Sequence, residues 1–249
     1  MTNEQSLESR ESDYQGMALQ ELEYAKLEDF YGKTQTYKLD LLTPDRVSSA
    51  PRPLVLLIHG GGFVRPCTKR QFYIPILARY LTEKGYAVAA PDYPVYETEK
   101  DRNSGNAGML IRKPARAVGC ALDFLKKHAE SFGLDEDRVA VMGGSAGGMT
   151  AFYAAAERKH AFRALVNLWG APDPLPNVDG FPPVLSVHGT EDVLVPFERE
   201  KLVQDALSAA EVPHRLIALE GCGHTPIDRA DVYMPEILKF LNAAFRDHQ

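Results

Sequence analysis

The chain of 249 residues holds only three cysteines, at 67, 120 and 222, and a single tryptophan. Three thiols cannot all pair, and their spacing fits no zinc motif, so neither a disulfide framework nor a cysteine-based metal centre is expected. The one pairing worth naming, Cys67 with Cys222, is disfavoured in a reducing compartment. No apolar run reaches the ~18 residues that a membrane-crossing helix needs, so no membrane span is expected. The opening residues Met1, Thr2, Asn3, Glu4 and Gln5 lack the basic and apolar regions of a secretory signal, which makes a cytoplasmic location the expectation. Positive charge is not in excess: 28 Lys and Arg face 34 Asp and Glu, a net charge of −6. A nucleic-acid partner, which calls for a basic face, is therefore not expected. The sequence contains neither G-x-G-x-x-G nor G-x-x-x-x-G-K-[ST], the glycine patterns of dinucleotide and phosphate loops. Internal repeats and low-complexity segments are missing too. What the chain does have is 45% hydrophobic residues, enough for one large core in a single α/β domain.

The negative charge is concentrated at one end. Residues 1–30 hold eight acids and two bases, and the remaining 26 acids and 26 bases balance. Within this acidic stretch, Leu19, Leu22 and Phe30, with Met17 and Leu27 nearby, are spaced as one apolar side of a helix. A solvated arm, a dimer arm and a small cap over the active site all remain open for residues 1–34. Residues 35–249 are expected to form the catalytic domain. There, apolar runs alternate with helical patterns. Strands are predicted at 35–42, 53–59, 86–91, 138–143, 163–169, 183–188 and 214–219. Helices are predicted at 69–84, 114–131, 146–158, 197–210 and 230–246. Such alternation implies a mostly parallel central sheet with helices on both faces. Residues 93–112 read as a long irregular loop with its tip at 103–108. The short connection 170–181 leaves no room for a large inserted cap.

Three segments carry chemistry. In the first, Gly143-Gly144-Ser145-Ala146-Gly147 follows an apolar run and precedes a helix-forming stretch, so a G-x-S-x-G serine sits at a strand-to-helix turn. Side chains at Gly143 and Gly147 would collide across such a turn. In the second, the run at 53–58 opens into His59-Gly60-Gly61-Gly62, a loop able to aim bare N–H groups at one point. Gly61, Gly62 and Ala146 are the candidate oxyanion-hole donors. In the third, the predicted strand 183–188 delivers Glu191 and Asp192, and strand 214–219 delivers Gly221-Cys222-Gly223-His224. A serine hydroxyl is a weak nucleophile until an imidazole takes its proton, and a carboxylate orients that imidazole. Ser145, His224 and Asp192 are the candidates for these three roles, with Glu191 the rival acid. Of the other histidines, His59 and His188 end buried strands and suit bracing roles. Phe63, Tyr93 and Trp169 are candidate substrate-binding aromatics, each with ordinary core packing as the alternative. No cofactor or metal is called for by this chemistry.

The order Ser145, Asp192, His224 and the two glycine motifs resemble the α/β-hydrolases over residues 53–245. His59-Gly60-Gly61-Gly62 with Gly144-Ser145-Ala146-Gly147 is similar to the hormone-sensitive-lipase-like esterases. The acid loop from His188 to Asp192 is more like that of dienelactone hydrolases, acetyl-xylan esterases and prolyl peptidases. The chain departs from the lipase-like pattern at Gly144, where those esterases carry an acid, and at Tyr93-Pro94-Val95-Tyr96. Taken together, the resemblance is to small carboxylesterases, including acetyl and feruloyl esterases. It implies an α/β-hydrolase fold with a minimal cap and a serine carboxylesterase. The substrates implied are small-molecule esters, with short acyl or small aromatic groups and carbohydrate-linked alcohols among them. The alternatives on the same residues are a serine amidase, arylformamidase or peptidase, and a non-catalytic binding protein. A homodimer is left open.

Overall fold

The computed structural model describes residues 11–46, 48–105 and 107–246. Glu4 and Glu8 of the acidic stretch, Asn106 in the tip of the long loop, and the tail histidine His248 lie outside them.

Eight strands form one sheet in the order β1-β2-β4-β3-β5-β6-β7-β8. They are β1 (Met17–Glu28), β2 (Thr34–Pro44), β3 (Arg52–Ile58), β4 (Ala87–Pro91), β5 (Leu134–Gly144), β6 (Ala164–Leu168), β7 (Val184–Gly189) and β8 (His214–Leu219). β2 runs antiparallel to both β1 and β4, and every other neighbouring pair is parallel. The helices are α1 (Tyr73–Glu83), α2 (Glu99–Ser104), α3 (Ala107–Leu110), α4 (Arg112–Lys127), α5 (Ala129–Phe132), α6 (Ala146–Glu157), α7 (Phe197–Ala209) and α8 (Ala230–Arg246).

The alternation of strand side chains divides the core into two layers. On β3, Leu54, Leu56 and Ile58 pack with α4, α6 and α7, whereas Val55 and Leu57 pack with α1 and α8. Both faces of the central strands are covered, which is why their sequences read as unbroken apolar runs rather than as alternations. Leu56 is wholly buried in the first layer. Leu56→Ala is expected to cost about 3 kcal/mol, the lost transfer free energy plus the cavity left behind. A lowered urea midpoint at unchanged slope is the measurement.

Two expectations are corrected. The apolar residues of the acidic stretch do not line a helix; residues 17–28 form edge strand β1. Met17 and Leu19 pack into the α1/α8 layer, while Leu22, Tyr24 and Leu27 pack into the other. The register of β1 against β2 shifts between Glu23 and Ala25. Leu19 and Leu22 stand on opposite faces by ordinary alternation, and the extra residue at the bulge returns Leu27 to the face of Leu22, so the spacings imitate a helical stripe. The boundary expected between residues 34 and 35 falls where the β1–β2 turn meets β2. The second correction is in the long segment after β4. It is not irregular throughout, since it contains α2 and α3. Thr98 caps α2, its hydroxyl oxygen accepting from the Asp101 N–H at 3.1 Å.

The β6–β7 connection contains no helix or strand, in keeping with the short span predicted there. Instead, α2 and its flanking residues reach the rim of the glycine loop: the Arg102 guanidinium donates to the Gly62 carbonyl oxygen at 3.0 Å.

Candidate active site

The glycine-rich ends of β3 and β5, and the loops after β7 and β8, converge at the carboxyl edge of the sheet. This is where open α/β sheets place their ligands. Ser145 links β5 directly to α6 with φ 56° and ψ −122°, a left-handed conformation that points its hydroxyl out of the turn. The turn is tight enough to demand glycine. A Cβ at Gly147 would lie 2.2 Å from the Ile58 carbonyl oxygen and 2.5 Å from that of His59. A Cβ at Gly143 would lie 2.3 Å from the Gly147 carbonyl oxygen.

His224 reaches this hydroxyl from the β8–α8 loop. Its Nε2 lies 2.9 Å from Ser145 Oγ, and its Nδ1 lies 2.7 Å from Asp192 Oδ2. The other oxygen of Asp192 accepts from the N–H groups of Leu194 and Val195, both at 2.9 Å. Asp192 is buried while Glu191 is exposed, so of the two candidate acids it is Asp192 that meets the histidine. The two loops are bound to each other. The Glu191 N–H donates to the Cys222 carbonyl oxygen at 2.9 Å, and the Gly221 N–H to Thr190 Oγ1 at 2.9 Å. Asp192 and His224 are thus presented on a single unit.

The glycine loop faces the same cleft. Gly61 and Gly62 take positive φ values of 96° and 61°. Gln71 Oε1 accepts from the Gly60 N–H at 2.8 Å. Burial holds the His59 imidazole below its ordinary pKa, and as a neutral ring it donates from Nδ1 to the Gly60 carbonyl oxygen at 3.0 Å. Cys67 packs against Gly61 and donates its thiol proton to the Gly61 and Val64 carbonyl oxygens. Burial pushes this thiol's pKa up, which keeps it protonated. All three cysteines are free. The N–H groups of Gly61, Gly62 and Ala146 have no hydrogen-bond partner among the described residues. The last belongs to the first residue of α6, where a helix leaves its N–H groups unused. An arrangement of a hydroxyl, an imidazole, a carboxylate and free N–H donors can move a proton and stabilise an oxyanion.

The cleft measures about 550 Å³ and is lined by Gly60 to Val64, Ser145, Ala146 and His224, among others. Of the three aromatics singled out in the sequence, Phe63 lines it. Tyr93 and Trp169 do not. Tyr93 is stacked on His59, ring centroids 4.1 Å apart, and donates to the His59 carbonyl oxygen at 2.7 Å, so it supports the glycine loop from behind. Trp169 is fully buried beneath the serine turn. A Cβ at Gly144 would lie 2.8 Å from Tyr73 Oη and 3.0 Å from Trp169 Nε1. Those two side chains fill the space that an acid before the serine would need. The cleft lining includes the apolar Leu110, Met149 and Leu194 and the polar Glu99, Arg102 and Asn103. Sequence reasoning missed these residues. The one signal that pointed to the polar lining was Thr98-Glu99-Lys100-Asp101, an [ST]-x-x-[DE] helix start.

Among the described residues, no three His, Cys, Asp or Glu side chains are grouped to hold a metal, and no helix is long and apolar enough to cross a membrane.

Comparison with known proteins agrees with this architecture. The BD-FAE family profile matches residues 39–173, and the phospholipase/carboxylesterase profile matches residues 110–245. Esterase B1 of Culex pipiens is 26% identical over 135 residues, which is 51% of this chain but only 23% of that enzyme. Among solved structures, an α/β-hydrolase enzyme, MGS-M1, from a Medee basin deep-sea metagenome library superposes with a TM-score of 0.74 at 24% identity, covering 92% of this chain and 98% of that one. A bacterial heroin esterase superposes with a TM-score of 0.73 at 22% identity, covering 95% and 86%.

Proposed function

The chain belongs to the BD-FAE and phospholipase/carboxylesterase families of α/β-hydrolases, and from that premise we propose that it is a serine carboxylesterase acting on small-molecule esters. The observation that carries this reading is the hydrogen-bonded line from Ser145 Oγ through His224 to Asp192, at 2.9 and 2.7 Å, opening onto a cleft shared with the glycine loop.

In this reading Ser145 Oγ attacks the ester carbonyl carbon as His224 Nε2 takes its proton. The carbonyl oxygen becomes an oxyanion held by the N–H groups of Gly61, Gly62 and Ala146. Asp192 keeps Nδ1 of His224 protonated and stabilises the imidazolium that forms. His224 then passes the proton to the departing alkoxide, and an acyl group remains on Ser145. Water gives a proton to His224 and attacks the acyl carbon; the bond from that carbon to Ser145 Oγ then breaks, His224 returns the proton to Oγ, and the acid is released. Two backbone donors come from the loop after β3 and one from the start of α6. The geometry of the hole therefore depends on the close β3–α6 contact at Gly147.

The acyl group is short or small and aromatic. No cap helix between β6 and β7 extends the cleft, and Leu110, Met149 and Leu194 are among the apolar residues that line it. A buried methylene contributes ~0.8 kcal/mol, about fourfold in kcat/KM, and a methylene left in water contributes nothing. The expected profile with p-nitrophenyl esters is thus highest for acetate to butyrate and lower for octanoate and palmitate. A steady rise with chain length would contradict it. Carbohydrate-linked alcohols are compatible with the polar lining formed by Glu99, Arg102 and Asn103.

The reaction also requires a neutral His224, because a protonated imidazole cannot accept the serine proton.

A further inference from the structure

Asp192 Oδ2, which meets His224 Nδ1, also lies 3.2 Å from Nε2 of a second histidine, His188. His188 is the penultimate residue of β7 and is fully buried. The same Nε2 lies 2.8 Å from the Val195 carbonyl oxygen, which can only accept, so Nε2 carries a proton. On the other side of the ring, Nδ1 has no hydrogen-bond partner, and Oε2 of Glu200 stands 3.8 Å from it. Glu200, on the first turn of α7, is also fully buried. Its two oxygens accept from Asn167 Nδ2 at 3.0 Å and Gln204 Nε2 at 2.6 Å. Both amides also face Ser186 Oγ, at 3.3 and 3.2 Å. The groups around the ring are therefore Asp192 from the loop after β7, Glu200 from α7, and the neutral Asn167, Ser186 and Gln204. The Phe197 ring closes the remaining side with its centroid 5.9 Å away.

Two carboxylates and one imidazole share this dry compartment. With a neutral ring, two like charges would be buried together with no opposite charge beside them, which is costly. With a protonated ring, the compartment carries the charge of a single carboxylate, and the two carboxylates stand 3.2 and 3.8 Å from the two ring nitrogens. Burial pulls the His188 imidazole down, but Glu200, the Val195 carbonyl and Asp192 outweigh it and leave its pKa above the ordinary histidine value.

We infer that His188 is a positioning residue that stands as an imidazolium between Glu200 and Asp192 and holds the Asp192 carboxylate in its orientation toward His224. It touches no substrate and does not line the cleft. The inference rests on Asp192 acting as the acid of the proposed mechanism, but its charge state is testable without that mechanism.

The test uses the full chain with 15N-labelled histidine rings. At pH 7, NMR is expected to show both His188 nitrogens protonated, in the wild type and equally in Ser145→Ala. Glu200→Gln is expected to lower the His188 titration midpoint by more than one pH unit. A neutral His188 at pH 7, or a midpoint unmoved by Glu200→Gln, would overturn the inference. The kinetic arm compares His188→Gln and the near-isosteric Glu200→Gln, with active sites counted by burst titration so that misfolded protein is excluded. For His188→Gln, kcat per titrated site is expected to fall at least tenfold with KM within twofold, and Glu200→Gln should fall in the same direction by less. A kcat within twofold of wild type in His188→Gln would overturn the positioning role. Should Ser145→Ala remain active, the proposed function would fail, while the NMR arm would still decide the charge state of His188.

Discussion

Ser145→Ala is expected to reduce kcat/KM for p-nitrophenyl acetate by at least about 10⁴-fold, equivalent to ~5 kcal/mol of transition-state stabilisation. Its Oγ is the atom 2.9 Å from His224 Nε2, and removing it leaves the imidazole with no nucleophile to activate. Residual hydrolysis from bound water and the N–H donors of the glycine loop would persist well above the uncatalysed rate, as is usual when a triad member is removed. Protein stability should change little. The serine side chain makes no other hydrogen bond among the described residues, and its positive φ is no worse for alanine than for serine. The control is therefore thermal unfolding: a variant that is inactive but melts like the wild type isolates chemistry from folding. Turnover within tenfold of wild type would remove Ser145 from its role.

Gly147→Ala is expected to be the most damaging conservative substitution in the fold. Helix propensity alone favours alanine by ~1 kcal/mol at a position inside α6. The new Cβ, however, would sit 2.2 Å and 2.5 Å from two carbonyl oxygens of the strand end that opens into the glycine loop. These are backbone atoms of a buried parallel strand and its first loop residue, so no side chain can rotate away. Either α6 or the end of β3 must move by most of an ångström in a close-packed core. The expected loss is about 4 kcal/mol or more, seen as a fall of roughly 8–16 °C in Tm for a chain of this size. Any variant that still folds should have lost most of its turnover, because the same contact spaces Ser145 from Gly61 and Gly62. Gly32→Ala is the comparison. Gly32, unlike Gly147, has a positive φ, but no atom lies within 4 Å of its would-be Cβ, so only the ~1 kcal/mol conformational cost applies. Equal Tm values for the two variants would contradict the packing account.

The parts of the site that the sequence disclosed share one physical property. Each is a parallel strand rich in apolar residues followed by glycines, and both halves of that pattern are visible in one dimension. The run at 53–58 with its three glycines, the turn around Ser145, and the loops bearing Asp192 and His224 all belong to this class. The central strands were legible for the same reason. Edge strand β1 was not, because apolar residues on both of its faces and the extra residue at its bulge turn an alternating pattern into a helix-like one. Helix α2 was hidden by its polarity, since it buries no residue, and α3 by its length of a single turn. The pocket aromatics were misjudged where proximity in sequence to the motifs did not mean exposure to the cleft. Tyr93 and Trp169 are supports for the loop and the serine turn, while Leu110, Met149 and Leu194, in chemically ordinary segments, line the cleft. Glu200 was illegible in a different way. A glutamate among Glu198, Arg199 and Lys201 reads as part of a solvated helix face, and only the folded chain shows it facing inward to His188.

The Gly144 departure finds its explanation in packing. Tyr73 and Trp169 occupy the volume beneath the serine turn, with their rings set edge to face and centroids 5.9 Å apart. This leaves no space for a side chain at that position.

The central claim is that hydrolysis proceeds through an acyl group carried on Ser145. The most direct measurement is mass spectrometry of the intact protein, quenched in acid during turnover of a p-nitrophenyl ester, with the modified peptide then mapped. The account predicts a stoichiometric burst of p-nitrophenol and a mass increase of one acyl group on the peptide containing Ser145, absent in Ser145→Ala. An acyl group mapped to another residue, or undiminished turnover when Ser145 is blocked by a fluorophosphonate, would contradict it.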